Sequence, residues 1–358
     1  MQRSLKLKVV VIGCGRIAKK HIGLLSDVFS DECEIVGICD IDTDKMIYFS
    51  NKYQLQCFTS IETMMKICQP DIAVILSESG NHGRHILRAA DYPVKAIICE
   101  KPLCLDLSEA KKVIDKCSLK KIELFLVKQN RLNPPVEKML STIKQNRLGK
   151  LMIGGIRVRW CRKKEYYSQD SWRGTWALDG GALTNQASHH VDLLLEAMGP
   201  VSSVNAYTAT MLANIEAEDT AIAILKFANG ALGTIEVTTA TRPTDIEGSI
   251  SVLGSKGIVE IGGFAVNEIK TWEVENFNLP EDELQSLNER PPNVYGFSHL
   301  RYYRLVFDDM RDKTQKATRG IDGLKSLDVI HAIYESAHTN TEVNVGSNYE
   351  FSRLGSEI

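Results

Sequence analysis

The sequence predicts an α/β protein with an N-terminal, doubly wound parallel sheet and a C-terminal α/β domain that contains a large, mainly antiparallel open sheet. Two observations carry this prediction. The first third of the chain alternates short, continuous apolar runs with amphipathic stretches, whereas the remainder has longer runs in which apolar and polar residues alternate. Continuous apolar runs are typical of strands buried on both faces of a parallel sheet, and alternation is typical of strands with one solvated face.

Five apolar runs predict the strands of the first sheet. They lie at residues 9–12, 34–39, 72–76, 96–99 and 124–127, with helices such as 17–25 and 108–117 between them. Strands that alternate with helices indicate crossover connections and hence a doubly wound fold. We therefore expect one domain over residues 1–127 and a second over residues 128–358.

The second domain is expected to hold a largely antiparallel sheet. Strands are predicted at residues 152–160, 202–210, 220–227, 232–239 and 249–253, and helices near 188–198 and 326–336. Asn229-Gly230 lies between two of these strands and is a strong signal for a hairpin turn. Residues 276–293 contain three prolines and are expected to be a surface excursion.

Composition excludes several classes of protein. The 43 Lys and Arg against 45 Asp and Glu give a formal charge of -2, which disfavours nucleic acid as a partner. Nine cysteines without a Cys-x-x-Cys pair indicate buried thiols in a reducing compartment. Because no apolar run approaches the roughly 20 residues of a membrane span, we expect a cytoplasmic protein with no membrane partner.

A glycine-rich turn follows the first predicted strand. Gly13 would make the tight turn, Gly15 would let a pyrophosphate approach the backbone, and Ala18 would allow close packing of helix and strand. Asp40 ends the second strand, where a carboxylate would bind a ribose diol and repel a 2′-phosphate. Glycines in such turns can be purely steric, but the order of strand, glycines, helix and acid favours a dinucleotide site and NAD over NADP.

Polar residues also follow the predicted strands at 72–76 and 96–99, at the edge where the cofactor should bind. His82 and His85 open the next helix and are either cofactor contacts or solvent-exposed capping residues. Lys101 could polarise a hydroxyl or stabilise an alkoxide, although Lys before Pro is also an ordinary strand exit. The residues expected to bind the cofactor are Gly13, Gly15, Arg16, Ile17, Asp40, Ser77, Ser79, His82, Glu100 and Lys101.

A third motif lies in the second domain. Asn185, His189 and Asp192 share one helical face if a helix begins near Thr184, and such a histidine is a candidate proton acceptor. Alternatively, His189 and Asp192 only satisfy each other. A metal site is also conceivable, but no second cluster of ligands stands nearby at suitable spacing, so no metal is expected.

Together these motifs resemble the Gfo/Idh/MocA family of oxidoreductases over residues 8–345. The resemblance rests on Gly13, Gly15 and Ala18 with His21, on Glu100-Lys101-Pro102, and on Gly180-Gly181 leading to His189 and Asp192. It implies a Rossmann domain, a second α/β domain whose open sheet commonly mediates dimers or tetramers, and hydride transfer between NAD(P) and a sugar or cyclitol hydroxyl. It also implies that Lys101 and His189 are the catalytic residues. The family often has an acidic residue where this chain has Asn185.

Within the family, residues 128–134, 166–167, 172–176, 185–186 and 295–299 look most like the branch that oxidises UDP-linked N-acetylglucosaminuronic acid at its 3-hydroxyl. That reaction feeds the synthesis of sugars for bacterial surface polysaccharides. Such a substrate is anionic, and cations are dense between residues 157 and 173, although some must alternate outward on a strand. The residues expected to bind the substrate are Lys101, Arg131, Arg162, Tyr166, Tyr167, Trp172, Arg173, Asn185, His189, Tyr295 and His299.

Two other functions remain open at this point. The substrate could be a free sugar or inositol, for which the arginines near residues 157–173 would not be needed. The chain could also be a non-catalytic NAD-binding regulator, but its Lys101 and His189 argue against that reading. The expected partners are a sugar or nucleotide-sugar substrate and further copies of the chain, in a homodimer or homotetramer.

Overall fold

The computed structural model describes residues 6–291 and 296–356, which form two compact units. The first unit comprises the described residues up to Val127 together with His299–Leu324. The second unit comprises Lys128–Ser298 and the described residues from Lys325 onward.

The first unit is built on a parallel sheet of six strands. Its elements up to residue 127 are β1 (Leu7–Ile12), α1 (Ala18–Gly23), β2 (Cys33–Cys39), α2 (Thr43–Tyr53), β3 (Cys57–Phe58), α3 (Ile61–Cys68), β4 (Ile72–Ile75), α4 (His82–Ala89), β5 (Ala96–Cys99), α5 (Leu107–Leu119) and β6 (Glu123–Leu126). The strand order is β3-β2-β1-β4-β5-β6, and all of these neighbours pair in parallel. The predicted doubly wound sheet is confirmed, and its order reverses between β1 and β4, where such folds bind ligands.

Local sequence explains most of these elements. The central strand β1 buries Val9, Val10 and Val11 completely, as expected for a strand covered on both faces. Side chains cap three of the helices, because Asp42, Ser60 and Asp106 each accept a backbone N–H of the first turn of α2, α3 and α5. The strand β3 was not predicted, because its two residues are too few to show a hydrophobic pattern.

The second unit contains a mixed sheet of eight strands. The remaining elements of the chain are α6 (Pro134–Lys144), β7 (Leu151–Arg159), α7 (Lys164–Tyr167), α8 (Ala182–Asn185), α9 (Ser188–Met198), β8 (Val201–Ala209), β9 (Thr220–Phe227), β10 (Leu232–Thr238), β11 (Glu247–Gly254), β12 (Gly257–Gly262), β13 (Glu268–Val274), α10 (Glu281–Leu287), α11 (Ser298–Asp312), α12 (Gly320–Thr339) and β14 (Val343–Asn344). The order is β13-β12-β11-β7-β10-β9-β8-β14, in which β7 and β10 pair in parallel and the other neighbours pair antiparallel.

The mainly antiparallel sheet and the hairpin at Asn229-Gly230 are confirmed. Gly230 has a φ of +86°, and the Phe227 N–H donates to the Ala231 carbonyl across the turn at 2.9 Å. Strands β12, β13 and β14 were not predicted. β13 lies at an edge of the sheet and alternates poorly, and β14 is only two residues long. A surface excursion was predicted at residues 276–293. The structure describes it as far as residue 291, and this part contains α10.

Residues 299–324 correct the predicted domain boundaries. The sequence assigned them to the second domain, but they pack with the first unit. On α11, Tyr303 and Phe307 lie against Phe29, with ring centroids 5.9 and 5.1 Å away. Arg319 donates to Glu123 of β6 at 2.6 Å. Aromatic packing and this ion pair therefore attach the segment to the first unit, which contains the parallel sheet.

The two faces of the second sheet differ. Helix α9 packs on β7 and β11. Along β9 the residues alternate between buried and exposed, and the exposed face carries Ile222 and Ile224, which are 54% and 60% exposed. Tyr207 on β8 pairs directly with Ile222 and is 68% exposed. Within the described residues, no helix has the length and apolar character that crossing a membrane requires.

Candidate active site

The glycine turn after β1 leaves space at one position and excludes side chains at another. Gly13 has a φ of +99°, and a Cβ there would lie 2.5 Å from the backbone of Leu76, so only glycine fits. A Cβ at Gly15 would meet nothing within 4 Å. Ala18 is fully buried under the turn. The open space over Gly15 suits the close approach of a pyrophosphate, and the contact itself stays a prediction.

Asp40 ties the end of β2 to this turn. Its Oδ2 accepts the Cys14 N–H at 2.7 Å, and its Oδ1 accepts the Asp42 N–H at 2.9 Å. Because each carboxylate oxygen can accept a second hydrogen bond, both can still receive ribose hydroxyls. The acceptor oxygens of Asp40 therefore fit the ribose diol of NAD.

The other expected cofactor residues lie along the same edge of the sheet. Arg16 and Ile17 precede α1, and Ser77 and Ser79 follow β4. The Ser77 hydroxyl lies 2.8 Å from Nδ1 of His85.

His82 is buried, which contradicts one of the two alternatives predicted for it. It is 1% exposed, so the interpretation as a solvent-exposed capping residue is wrong. Its Nδ1 lies 2.6 Å from the Pro102 carbonyl oxygen, and its Nε2 lies 2.9 Å from that of Ser77. The ring therefore links the loops that follow β4 and β5, and both of its nitrogens are used inside the unit.

Glu100 and Lys101 follow β5, at the edge that also carries the glycine turn. Lys101 is half-buried, whereas Glu100 is 7% exposed. Oε1 of Glu100 lies 2.9 Å from Nε2 of His21, and Oε2 accepts the Lys101 N–H at 3.1 Å. Glu100 thus directs its carboxylate into the unit, and the cofactor contact expected for it stays a prediction.

His21, Glu100 and His299 are also the one group among the described residues whose ligand atoms could surround a metal ion, since these atoms lie within 4.8 Å of one another. However, His21 and Glu100 approach to 2.9 Å. Two ligands of a tetrahedral zinc ion, each about 2.0–2.1 Å from the metal, would lie roughly 3.3 Å apart. The short separation is that of a hydrogen bond, so the geometry fits an internal network better than a metal site.

In the second unit, no continuous helix runs from Thr184 to Asp192, which was the condition for Asn185, His189 and Asp192 to share one face. Helix α8 ends at Asn185, and α9 begins at Ser188 after a turn. Asn185 donates to Asp179, which also accepts the Gly174 N–H at 2.7 Å. Asn185 therefore does not share a helical face with His189.

His189 is half-buried in the first turn of α9, with Nε2 3.3 Å from the amide nitrogen of Gln129. Three residues later, Asp192 is bound by Arg131 through two hydrogen bonds of 2.7 and 2.8 Å. The buried Lys128 lies 3.4 Å from the same carboxylate. Burial would raise the pKa of Asp192, but Lys128 and Arg131 outweigh it and hold the pKa below its usual value. The carboxylate is therefore bound by cations, and the alternative that it only satisfies His189 is wrong.

Arg162, Tyr166 and Arg173, three of the residues expected to bind the substrate, lie in contact with one another. The guanidinium carbon of Arg162 lies 5.4 Å from the Tyr166 ring centroid, and that of Arg173 lies 4.6 Å from it. Each arginine also has a carboxylate partner, Asp245 for Arg162 and Asp170 for Arg173, both at 3.0 Å. We call Arg162, Tyr166, Tyr167, Trp172 and Arg173 the arginine–aromatic cluster.

Two further contacts complete the cluster. The Tyr167 hydroxyl lies 2.9 Å from the Thr239 hydroxyl. The guanidinium carbon of Arg173 lies 4.4 Å from the ring centroid of Trp172. By contrast, Arg157 of β7 pairs with Glu260 on β12 at 3.2 Å, and Arg159 pairs with Glu236 on the adjacent β10 at 2.6 Å. These two arginines are the outward-alternating cations that the sequence allowed for.

Two further residues, Tyr295 and His299, were expected to bind the substrate. Tyr295 lies outside the described residues. His299 lies in the first unit, is 1% exposed, and has its Nε2 3.5 Å from Oε1 of Glu100. The sequence grouped His299 with residues of the second domain because nothing in it reveals which sheet α11 packs against.

Glu218 was missed by sequence reasoning. It is 3% exposed, accepts the Leu183 N–H at the start of α8 at 2.8 Å, and accepts the Tyr334 hydroxyl at 3.0 Å. Burial raises its pKa to about 7. A Cβ on Gly181 would lie 1.8 Å from its carboxylate, which explains a glycine at that position. No local pattern marks Glu218, because its partners are distant in sequence.

Comparison with known proteins gives the same two parts. The model of an oxidoreductase family with an NAD-binding Rossmann fold matches residues 7–126, and that of an oxidoreductase family C-terminal alpha/beta domain matches residues 141–345. A curated relative, the D-apiose dehydrogenase of Rhizobium rhizogenes, is 24% identical, and the match covers 96% of this chain and 98% of that protein. The first unit is thus an NAD-binding domain, and its cofactor is NAD.

Two solved structures are more similar. The WlbA dehydrogenase of Bordetella pertussis, in complex with NADH and UDP-GlcNAcA, has 38% identity and a TM-score of 0.91 over 96% of this chain and 99% of that chain. The WlbA dehydrogenase of Chromobacterium violaceum, in complex with the same two molecules, has 36% identity and a TM-score of 0.91 over 97% of this chain and 98% of that chain. The similarity extends over nearly the whole length of each protein.

Proposed function

The chain belongs to the Gfo/Idh/MocA family of oxidoreductases, and from that premise we propose that it oxidises the 3-hydroxyl of UDP-linked N-acetylglucosaminuronic acid. The observation that carries this proposal is the identity of 38% and 36% to two dehydrogenases that bind NADH and UDP-GlcNAcA. Relatives near 24% identity include an enzyme named for a free sugar, so they support only the wider class of sugar dehydrogenases.

The chemistry assigns distinct tasks to two side chains. NAD, when bound, supplies the acceptor of the hydride that leaves the sugar carbon. His189 accepts the hydroxyl proton, and the ammonium of Lys101 orients the hydroxyl and stabilises the developing alkoxide. Lys101 lies on the same sheet edge as the glycine turn, and His189 lies beside Gln129 in the second unit.

Recognition of the substrate's charge is proposed for the arginine–aromatic cluster. The uronate and the pyrophosphate bring about three negative charges, which need locally concentrated cations. Asp245 and Asp170 already bind Arg162 and Arg173. Because a guanidinium carries five N–H donors, each arginine can bind its aspartate and an anion of the substrate together. We assign at least one of the two arginines to the substrate, with Tyr166, Tyr167 and Trp172 as the neighbouring wall.

The test compares the UDP-linked uronic acid with the UDP-linked neutral sugar in steady-state kinetics. Wild type should prefer the uronic acid by at least about tenfold in kcat/KM, which corresponds to about 1.4 kcal/mol. Arg162→Ala or Arg173→Ala should narrow this preference. Arg159→Ala is the matched control, because Arg159 is bound by Glu236 on the sheet, and it should leave the preference unchanged. Equal use of both substrates by every variant would refute the uronic-acid assignment.

A second candidate substrate is a free sugar, which the D-apiose dehydrogenase relative favours. Turnover of free sugars or inositol without turnover of UDP-sugars would select this alternative. A regulator, in contrast, would bind NADH and turn over neither class.

Self-association is proposed for the exposed face of the second sheet. Tyr207, Ile222 and Ile224 place apolar side chains side by side there, and such patches commonly mark interfaces. A homodimer or homotetramer formed through this face would cover them.

A further inference from the structure

A buried group of four side chains adjoins Lys101 in the first unit. Its members are His21 of α1, Glu100 after β5, and His299 and Tyr303 of α11, and none of them is more than 7% exposed. We call them the Glu100 cluster. Glu100 is a buried carboxylate that the proposed reaction does not use directly, so its position next to Lys101 needs its own explanation.

The hydrogen bonds of the cluster run in one direction. The Tyr303 hydroxyl lies 2.7 Å from Nδ1 of His21, and Nε2 of His21 lies 2.9 Å from Oε1 of Glu100. A carboxylate only accepts hydrogen bonds, so Nε2 of His21 must carry a proton and donate it. In a neutral ring, Nδ1 is then the acceptor for the Tyr303 hydroxyl. Nε2 of His299 approaches the same Oε1 at 3.5 Å.

Charge states agree with this direction. Burial would raise the pKa of Glu100, but hydrogen bonds from His21 and His299 outweigh it and hold the pKa well below its usual value. Burial lowers the pKa of His21, and the hydrogen bond to Glu100 only partly opposes this. The cluster therefore contains a carboxylate bound by a neutral His21.

The second oxygen of Glu100 connects the cluster to Lys101. Oε2 accepts the Lys101 N–H at 3.1 Å, and on the other side the Pro102 carbonyl oxygen lies 2.6 Å from Nδ1 of His82. The backbone around Lys101 is thus held on both sides by buried groups. A rotation of the Glu100 carboxylate would release the N–H and allow the peptide that carries the lysine to turn.

We propose that Glu100 is a positioning residue whose carboxylate, oriented by His21 and His299, fixes the backbone of Lys101 and so aims its ammonium at the substrate hydroxyl. This inference rests on the proposed catalytic role of Lys101. Such an arrangement holds a catalytic group in its productive geometry through a second layer of hydrogen bonds.

A double-mutant cycle tests whether Glu100 acts through Lys101. Glu100→Gln keeps the size of the side chain and removes its charge. It should lower kcat by about 10-fold or more while KM and the Kd for NADH stay within about twofold. In a Lys101→Met background the same change should lower kcat by less than about threefold, because the group that it positions is already gone. The cycle uses whichever sugar the wild type oxidises, so it does not depend on the uronic acid.

Asp309→Asn is the matched control. Asp309 is another buried carboxylate of the first unit, and it accepts the N–H groups of Lys316 and Ala317 at 2.9 Å. Its replacement should lower thermal stability but leave kcat near the wild-type value. If Glu100→Gln does not fold, Tyr303→Phe removes only the hydroxyl that fixes His21, and it should lower kcat by about threefold in the wild type and not in Lys101→Met.

A second readout needs no substrate. Ring ¹⁵N shifts of labelled histidines should show His21 as the neutral Nε2–H form at pH 7.5, and Glu100→Gln should change that form. This separates the two proposals, because a protein that does not oxidise the uronic acid would still give the histidine signature. The positioning role is overturned if Glu100→Gln keeps wild-type kcat, if its loss is equal in both backgrounds, if NADH affinity falls in parallel, or if the cluster binds stoichiometric zinc.

Discussion

Oδ2 of Asp40 accepts the backbone N–H of Cys14 at 2.7 Å, so the acid that ends β2 and the glycine turn after β1 are joined directly. The side chain that would select the ribose therefore also shapes the turn that would approach the pyrophosphate. A dianionic 2′-phosphate would meet a fixed carboxylate at this position.

This relationship predicts cofactor preference. NAD should bind at least about tenfold more tightly than NADP, a difference of about 1.4 kcal/mol. Asp40→Ala should narrow the gap. Asp42→Ala is the matched control, because the Asp42 side chain caps α2 through the Asp44 N–H at 3.0 Å and pairs with Lys45 at 3.9 Å. Side-by-side titrations with NAD and NADP measure both effects. Equal affinities of the wild type for the two cofactors would contradict the prediction.

The second prediction concerns catalysis. Lys101→Met or His189→Ala should lower kcat by about 100-fold or more, because each removes a group that acts on the hydroxyl proton or the alkoxide. NADH binding should stay near the wild-type value. Lys95, at the opposite end of β5 and paired with Asp71 at 2.9 Å, provides the control Lys95→Met. If Lys101→Met turned over like the wild type, the site would be assigned wrongly.

The buried Glu218 makes a prediction about pH. Its pKa is raised by burial from 4.5 to about 7, so the folded state keeps a proton that the unfolded state loses near pH 4.5. The stability that this proton contributes is fully present below pH 4.5 and is lost as the pH rises through about 7. The loss is on the order of 3–4 kcal/mol, since one pKa unit corresponds to about 1.4 kcal/mol.

Glu218→Gln should therefore flatten the decline in unfolding free energy between pH 5 and 8. Glu216→Gln is the control, because Glu216 lies two residues away, is exposed and accepts only the Trp176 N–H at 3.1 Å among the bonds described. Denaturant titrations at several pH values give the comparison. An identical pH dependence for wild type and Glu218→Gln would show that this carboxyl does not titrate in that range.

The sequence was most informative where structure is locally determined. Gly13, Gly15 and Asp40 could be placed because a strand, a tight turn and a helix follow one another within about 30 residues. The hairpin at Asn229-Gly230 was equally local. Lys101 could be placed at the edge of the sheet because it directly follows a buried strand.

Distant contacts account for what the sequence did not reveal. The break between α8 and α9 depends on Asp179 and Glu218, whose partners a helical periodicity cannot show. Likewise, His299 packs beside Glu100 from a segment almost 200 residues away in sequence, so its membership of the first unit follows from packing alone.

The exposed sheet face predicts assembly. Ile222→Lys with Ile224→Lys should shift a dimer or tetramer toward monomer, because lysines would introduce like charges on adjoining copies. Ile41→Lys is the control, since Ile41 is 92% exposed but belongs to the first unit and not to the second sheet. Sedimentation equilibrium measures the mass, and an unchanged assembly in the double variant would exclude this face as the interface.

The position of hydride loss tests the central claim most directly. UDP-linked N-acetylglucosaminuronic acid labelled with deuterium at C3 is incubated with NAD and an excess of enzyme. The mass of the reduced cofactor is then measured by mass spectrometry. The account predicts a reduced cofactor that carries the deuterium, while substrate labelled at C4 gives unlabelled NADH. Unlabelled NADH from the C3-labelled substrate, or no reduction of NAD with this substrate when a free sugar is oxidised, would contradict the account.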